Sequence, residues 1–108
     1  MGDQPPVEMS LAQRGTWRVV QVRGDLDLAT APQLESIFDE PDGHVALDLA
    51  KVRFIDSTGL RALVRIHERQ ERVVLVAPSP VVQRLLSLTH MTDAFPVAPN
   101  LEALDSME

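Results

Sequence analysis

The spacing of apolar and polar residues predicts short strands alternating with helices along this chain. Two strand-like runs, 7–14 and 16–24, are joined by a hairpin-sized turn, and the second is expected to break at 24–27. Thr30 then has the position of a helix N-cap, followed by apolar residues at three- and four-residue spacing. This first helix is predicted to stop before the turn signal at 41–43.

The second half of the chain continues the same alternation. Residues 44–50 alternate as a strand, with a loop expected at 51–56 and an amphipathic helix from Ser57 onward. The apolar run at 72–77 is typical of a strand buried on both faces, and Pro78 opens a third helical segment. Two last elements are predicted, a short strand at 95–97 and a helix at 101–107.

This element order predicts a small α/β domain. Strands that alternate with helices imply crossover connections, so we expect a mixed, mostly parallel sheet of four to five strands packed with about four α-helices. A length of 108 residues fits a single domain over 1–108. Within it, 1–6 is expected to be a flexible lead-in and 100–108 a C-terminal helix or tail.

Composition excludes several classes of function. The chain has no cysteine, which removes disulfides, thiolate metal sites and thiol nucleophiles. A net charge of −6 disfavours direct binding to nucleic acid or to an anionic membrane surface. The polar, acidic start and the lack of any long apolar run predict a cytoplasmic protein without a membrane span.

Enzymatic and metal chemistry find little support in the motifs. His44, His67 and His90 are widely spaced, and none has a second histidine at the fourth position along a helix. The chain has neither a G-x-S-x-G nucleophile motif nor a glycine-rich phosphate loop. We therefore expect no catalytic residue, no metal and no cofactor.

The most informative stretch surrounds Ser57, where a strand leads into the second helix. The simplest interpretation is structural: the Ser57 and Thr58 hydroxyls cap this helix, and Gly59 lets a neighbouring backbone approach. The structural interpretation of Asp25 and Asp27 is turn formation and capping. Asp56 would in the same way hold the loop by accepting from backbone N–H groups. The arginine series 61, 65, 69 and 72 is most simply a solvated helix face, although it begins one turn after Ser57 and could contact a partner.

Three segments resemble one known family in matching order. IDSTGL at 55–60, after the strand VALDLA, looks like the signature of the STAS domain, found in bacterial anti-sigma factor antagonists and in the cytosolic tails of sulphate transporters. VRGDLDLATAPQLES at 22–36 and APSPVVQRLLSLTHMTDAFPV at 77–97 resemble the flanking segments of that family. The resemblance thus spans nearly the whole chain.

The resemblance implies a partner-switching regulator. In such antagonists the serine that follows the motif aspartate, here Ser57, is phosphorylated by an ATP-binding anti-sigma factor serine kinase; Thr58 is the weaker candidate. Unphosphorylated protein would bind that kinase and free a sigma factor, phosphorylated protein would release it, and a PP2C-type phosphatase would restore binding. The residues expected to contact the partner are Asp25, Asp27, Asp56, Ser57, Thr58, Gly59 and Arg61.

A second function remains open within the same family. The chain could be a non-phosphorylated STAS adaptor, either the subunit of an ABC-type lipid transport system or part of a larger STAS signalling assembly. In that case the helix start would be a fixed contact that tolerates alanine at Ser57.

Overall fold

The computed structural model describes residues 7–41 and 43–107, which form one five-stranded sheet covered by helices. In these residues there are three α-helices and a C-terminal 3₁₀ helix, where about four α-helices were predicted. The predicted class, a mixed α/β fold, is confirmed. The elements in chain order are β1 (Val7–Arg14), β2 (Trp17–Leu26), α1 (Ala31–Ile37), β3 (His44–Ile55), α2 (Ser57–Arg69), β4 (Arg72–Val76), α3 (Pro80–Leu88), β5 (Val97–Ala98) and the 3₁₀ helix Glu102–Ser106.

The strands follow one another across the sheet in chain order, β1-β2-β3-β4-β5. The β1–β2 hairpin is antiparallel, with Arg14 opposite Trp17 and Gly15 supplying the positive φ of 57° that its tight turn requires. The pairs β2–β3, β3–β4 and β4–β5 are parallel. Segments that follow β2 and β3 therefore leave the sheet side by side at its carboxyl edge.

Both faces of the central strands are buried. One face carries the main core, to which β3 contributes Val45, Leu47 and Leu49 together with apolar residues of all three α-helices. The opposite face carries a smaller cluster around Trp17 and Ala46. The alternation predicted for β3 is thus confirmed. The other face of β3, which carries polar or small residues, is covered by the segment at the end of the described chain.

The strands β2 and β3 run further than the sequence indicated. The predicted break at 24–27 is wrong, because β2 continues to Leu26, with Gly24 adopting a φ of 108° beside a register irregularity. The predicted loop at 51–56 is also wrong, because β3 extends to Ile55, which lies opposite Leu26. Pairing with β2 satisfies the backbone hydrogen-bonding groups of 51–55, most of which are exposed residues. Apolar alternation could not reveal this extension of the strand.

The C-terminal segment packs as a short 3₁₀ helix where a longer helix at 101–107 was predicted. Its Leu104 carbonyl accepts a hydrogen bond from the buried Trp17 indole N–H at 3.1 Å. Arg72 lies over the Trp17 ring at 5.2 Å and donates to the Met107 carbonyl. Arg72 belongs to β4, so the interpretation of residues 61–72 as one helical arginine series is wrong in its last member.

No helix within residues 7–41 and 43–107 combines the length and apolar character needed to cross a membrane.

Candidate functional site at the start of α2

The candidate residues meet at the carboxyl edge of the sheet, where β2 and β3 end as a parallel pair. Leu26 lies opposite Ile55 in the last step of that pairing. The backbone N–H of Asp56 then donates to the Leu26 carbonyl at 3.4 Å. The turn after β2 and the first turn of α2 are therefore neighbours, as expected from a parallel arrangement of these two strands.

Asp56 is the N-cap of α2, which corrects the expectation that the Ser57 and Thr58 hydroxyls fill that role. Its extended backbone places one carboxylate oxygen to accept from the N–H groups of Thr58 at 2.9 Å and Gly59 at 3.0 Å. A carboxylate is a favourable cap because it satisfies N–H groups that the helix leaves free and opposes the positive end of the helix dipole. Of the two roles considered for Asp56, the structure supports the loop-holding one.

Ser57 is consequently the first residue within the helix, and its side chain is exposed. Its hydroxyl makes no hydrogen bond with any residue in 7–41 or 43–107, so it is not needed to hold the local backbone. Thr58 is half-buried. The more accessible of the two hydroxyls is thus the one at Ser57.

Gly59 permits close contact between α2 and the end of β2. A Cβ atom added at Gly59 would lie 2.1 Å from the Leu26 carbonyl oxygen and 3.0 Å from Cγ1 of Ile55. Real side chains do not approach backbone oxygens so closely. The expectation that this glycine lets a neighbouring backbone approach is confirmed.

Asp27 organises the turn that leads into α1. Its Oδ1 atom accepts from the N–H groups of Ala29 at 3.0 Å and Thr30 at 3.2 Å. The buried Thr30 hydroxyl accepts from the Asp27 N–H at 3.0 Å and donates to the Asp25 carbonyl at 2.7 Å. Thr30 occupies the predicted N-cap position, but its side chain makes no capping bond to α1. The turn-forming interpretation of Asp27 is therefore supported by its contacts.

The charges around Ser57 are mostly paired within the chain. Asp25 lies 3.6 Å from the Arg53 guanidinium, and Arg65 on α2 lies 3.3 Å from Glu35 on α1. Arg61, one helical turn after Ser57, is exposed and makes no ion pair or hydrogen bond with another residue of the described ranges. The carboxylates of the site thus have local partners, whereas Arg61 has none among the described residues.

Two exposed apolar side chains at this edge were missed by the sequence analysis. Leu28, in the turn after Asp27, is 73% exposed, and Phe54, opposite Asp25 in the β2–β3 pairing, is 49% exposed. Both are large apolar residues exposed near the candidate site, where a partner could cover them. An available signal was Phe54 itself, an aromatic residue within the predicted loop at 51–56.

The histidines lie apart from this site and from one another. His44 packs beside Trp17, and His67 beside Phe95, each with ring centroids 5.1 Å apart. Across the described residues, no three His, Asp or Glu side chains are grouped as metal ligands would be.

Comparison with known proteins identifies the family. The sequence pattern of the STAS domain matches residues 8–104. An anti-sigma-B factor antagonist from Staphylococcus epidermidis is 30% identical over 91 residues, which cover 77% of this chain and 84% of the relative. The anti-sigma-B factor antagonist of Listeria monocytogenes is 29% identical over 96 residues, covering 81% and 84%.

A solved structure agrees with these relatives. The crystal structure of an anti-sigma factor antagonist from Mycobacterium paratuberculosis is similar at a TM-score of 0.81 and 30% identity, covering 95% of this chain and 96% of that one. The chain belongs to the STAS domain family. The resemblance drawn from IDSTGL at 55–60 and its flanking segments is confirmed.

Proposed function

We propose that this protein is a cytoplasmic anti-sigma factor antagonist controlled by phosphorylation of Ser57. Unphosphorylated, it binds an anti-sigma factor that is an ATP-dependent serine kinase, and the sigma factor held by that kinase is freed. Phosphorylation of Ser57 by the same kinase ends the binding, and a PP2C-type phosphatase restores it. The proposal gives the chain no catalytic step of its own.

One observation carries this proposal: the Ser57 hydroxyl is exposed at the first position of α2 while the backbone around it is held by other groups. Asp56 caps the helix and Gly59 allows it to pack closely against β2, and neither interaction depends on the serine side chain. A kinase can therefore modify the hydroxyl without dismantling the turn. The names of the relatives support the antagonist part of the proposal.

Phosphorylation would change the charge of the surface more than its shape. A phosphate adds about −1.5 to −2 charges at pH 7. It would stand beside Asp56, whose carboxylate already faces the helix start. A partner surface that accepts the unmodified site would then meet additional negative charge, and binding would weaken.

The first test is a pull-down from the cytosol of the native host, with unmodified protein as bait in the presence of Mg²⁺ and ADP. We expect a small serine-kinase ATPase to be recovered with the wild-type bait and lost with Ser57→Asp. Recovery of a transporter ATPase equally well with both baits would contradict the proposal and favour the adaptor function.

Ser57→Asp is expected to weaken binding to the purified kinase at least about tenfold while changing the free energy of unfolding by no more than about 0.5 kcal/mol. The reason is that the side chain is exposed and makes no contact on which the described fold depends. Titration calorimetry and urea unfolding measure the two quantities. Ser87→Asp, an exposed serine on α3, is the matched control and should leave binding unchanged.

The same assay locates the modified hydroxyl. Ser57→Ala should bind the kinase as wild type does and accept no phosphate from it with ATP. Phosphate appearing on that variant would move the site to Thr58, and a large fall in the melting temperature of Ser57→Asp would overturn the binding switch.

A further inference from the structure

Arg61 is the one cation on the exposed start of α2 that has no partner among the described residues. It lies four residues after Ser57, and both side chains are exposed. Residues four apart on a helix have Cβ atoms about 6 Å apart, and an acidic group on the N-terminal member favours an ion pair with a basic residue on the other. Position 57 carries no such acidic group until it is phosphorylated.

The other arginines at this edge are already engaged. Arg53 lies 3.6 Å from Asp25, and Arg65 lies 3.3 Å from Glu35. A phosphate on Ser57 would have to displace a carboxylate to recruit either one. Arg61 can turn toward the phosphate without breaking a hydrogen bond or ion pair with any described residue.

The backbone at the helix start has little capacity left for a phosphate. The N–H groups of Thr58 and Gly59 both donate to the Asp56 carboxylate, and the Leu60 N–H donates to the Asp56 carbonyl at 3.0 Å. Of the N–H groups of residues 57–60, only that of Ser57 donates to no described residue, so the usual arrangement, in which several such groups bind one phosphate, is pre-empted here. A phosphate also gains from a cation that offsets the repulsion of the neighbouring Asp56 carboxylate.

From these contacts we infer that Arg61 is the phosphate-binding residue of the modified protein, forming an intrahelical ion pair with phosphorylated Ser57. The inference rests on the proposed function in one respect, which is that Ser57 is phosphorylated. Its consequence is that phosphorylation alters two charges of the surface: it adds a dianion and withdraws the exposed guanidinium from any partner. Before phosphorylation a partner meets the Arg61 cation one turn into α2. After phosphorylation that cation is paired within the helix.

The test uses protein in which phosphoserine is encoded directly at position 57, so that no kinase is required. The second ionisation of the phosphate, near pH 6 for an ordinary phosphoserine, is followed by ³¹P NMR. Removing the cation with Arg61→Gln should lower the acid dissociation constant by about two- to threefold, because the pair favours the dianion. The difference should shrink in about 1 M salt, where exposed charges are screened.

Arg69→Gln is the matched control, because Arg69 is also exposed on α2 but lies about 18 Å from Ser57 along the helix axis. It should leave the ³¹P titration unchanged. Equal titration curves for the wild type and Arg61→Gln, or an equal shift with Arg69→Gln, would overturn the inference. Because this readout contains no partner, it stands or falls separately from kinase binding, which the pull-down tests.

Discussion

At the scale of single residues, the absent side chain of Gly59 determines how closely α2 can seat against β2. Replacing glycine with alanine inside a helix normally stabilises it by about 1 kcal/mol. Here the new Cβ atom would lie 2.1 Å from the Leu26 carbonyl oxygen, which belongs to the sheet and cannot swing aside as a flexible side chain can. The steric term therefore outweighs helix propensity.

We expect Gly59→Ala to destabilise the protein by about 1–3 kcal/mol, the range of overpacked sites. Urea unfolding followed by circular dichroism measures this change. Ser57→Ala, two residues earlier on the same helix, is the control and should stay within about 0.5 kcal/mol of wild type. A neutral or stabilising Gly59→Ala would mean that α2 does not approach β2 as closely as described.

At the scale of elements, the C-terminal 3₁₀ helix is anchored to the sheet through one buried indole. Trp17 is fully buried, donates to the Leu104 carbonyl and has the Arg72 guanidinium over its ring. Five residues of 3₁₀ helix have little stability of their own. The segment therefore depends on this contact for its order.

Trp17→Phe should selectively loosen the C-terminal segment, because it removes the donor to Leu104 and opens space beneath the 3₁₀ helix. The expected loss of global stability is about 1–3 kcal/mol. In hydrogen exchange, the amides of 102–107 should lose more protection than the amides of β3 do. Phe38→Leu, in the core on the opposite face, is the control and should lower protection without singling out this segment. Uniform loss in both variants would argue against a separate anchor.

At the scale of the whole molecule, the β1–β2 hairpin and the C-terminal 3₁₀ helix are joined by an exposed ion pair between Arg14 on β1 and Asp105. The two side chains make hydrogen bonds of 3.0 and 2.9 Å. The hydrogen bond from Arg14 lowers the pKa of Asp105 below its ordinary 3.8, and the hydrogen bond to Asp105 raises the pKa of Arg14. Since Arg14 stays protonated throughout, only Asp105 titrates in the accessible range.

A lowered pKa in the folded state means that the Asp105 contribution to stability is present above the unfolded pKa near 3.8 and is lost as pH falls through the folded value. Asp105→Asn should therefore be slightly less stable than wild type at pH 7. The two proteins should converge in stability as the pH falls through the lowered folded-state pKa of Asp105, which lies below 3.8. Urea titrations at pH 7 and across the acid range measure this. The effect should be small because the pair is exposed, and a constant difference across this range would show that Asp105 acts through packing rather than charge.

Much of this architecture could be predicted from the sequence. The hairpin around Gly15, the apolar alternation of β3 and the apolar run of β4 are encoded within a few adjacent residues, so periodicity alone locates these strands. The motif at 55–60 likewise places Ser57 at the start of a helix and Gly59 at a close approach. These predictions succeed because local spacing decides which side of an element is buried.

Tertiary structure decided what depends on partners distant in sequence. The extension of β3 to Ile55 follows from its register against β2, and the same register brings Phe54 beside Asp25 and leaves it exposed. The cap of α2 is Asp56 rather than Ser57, because the strand continues to residue 55 and Asp56, extended directly after it, turns its carboxylate back onto the helix. The sequence thus determines which residue types lie at this edge. The role of each carboxylate and arginine is decided by the tertiary structure, because it depends on the groups that the fold places within hydrogen-bonding distance.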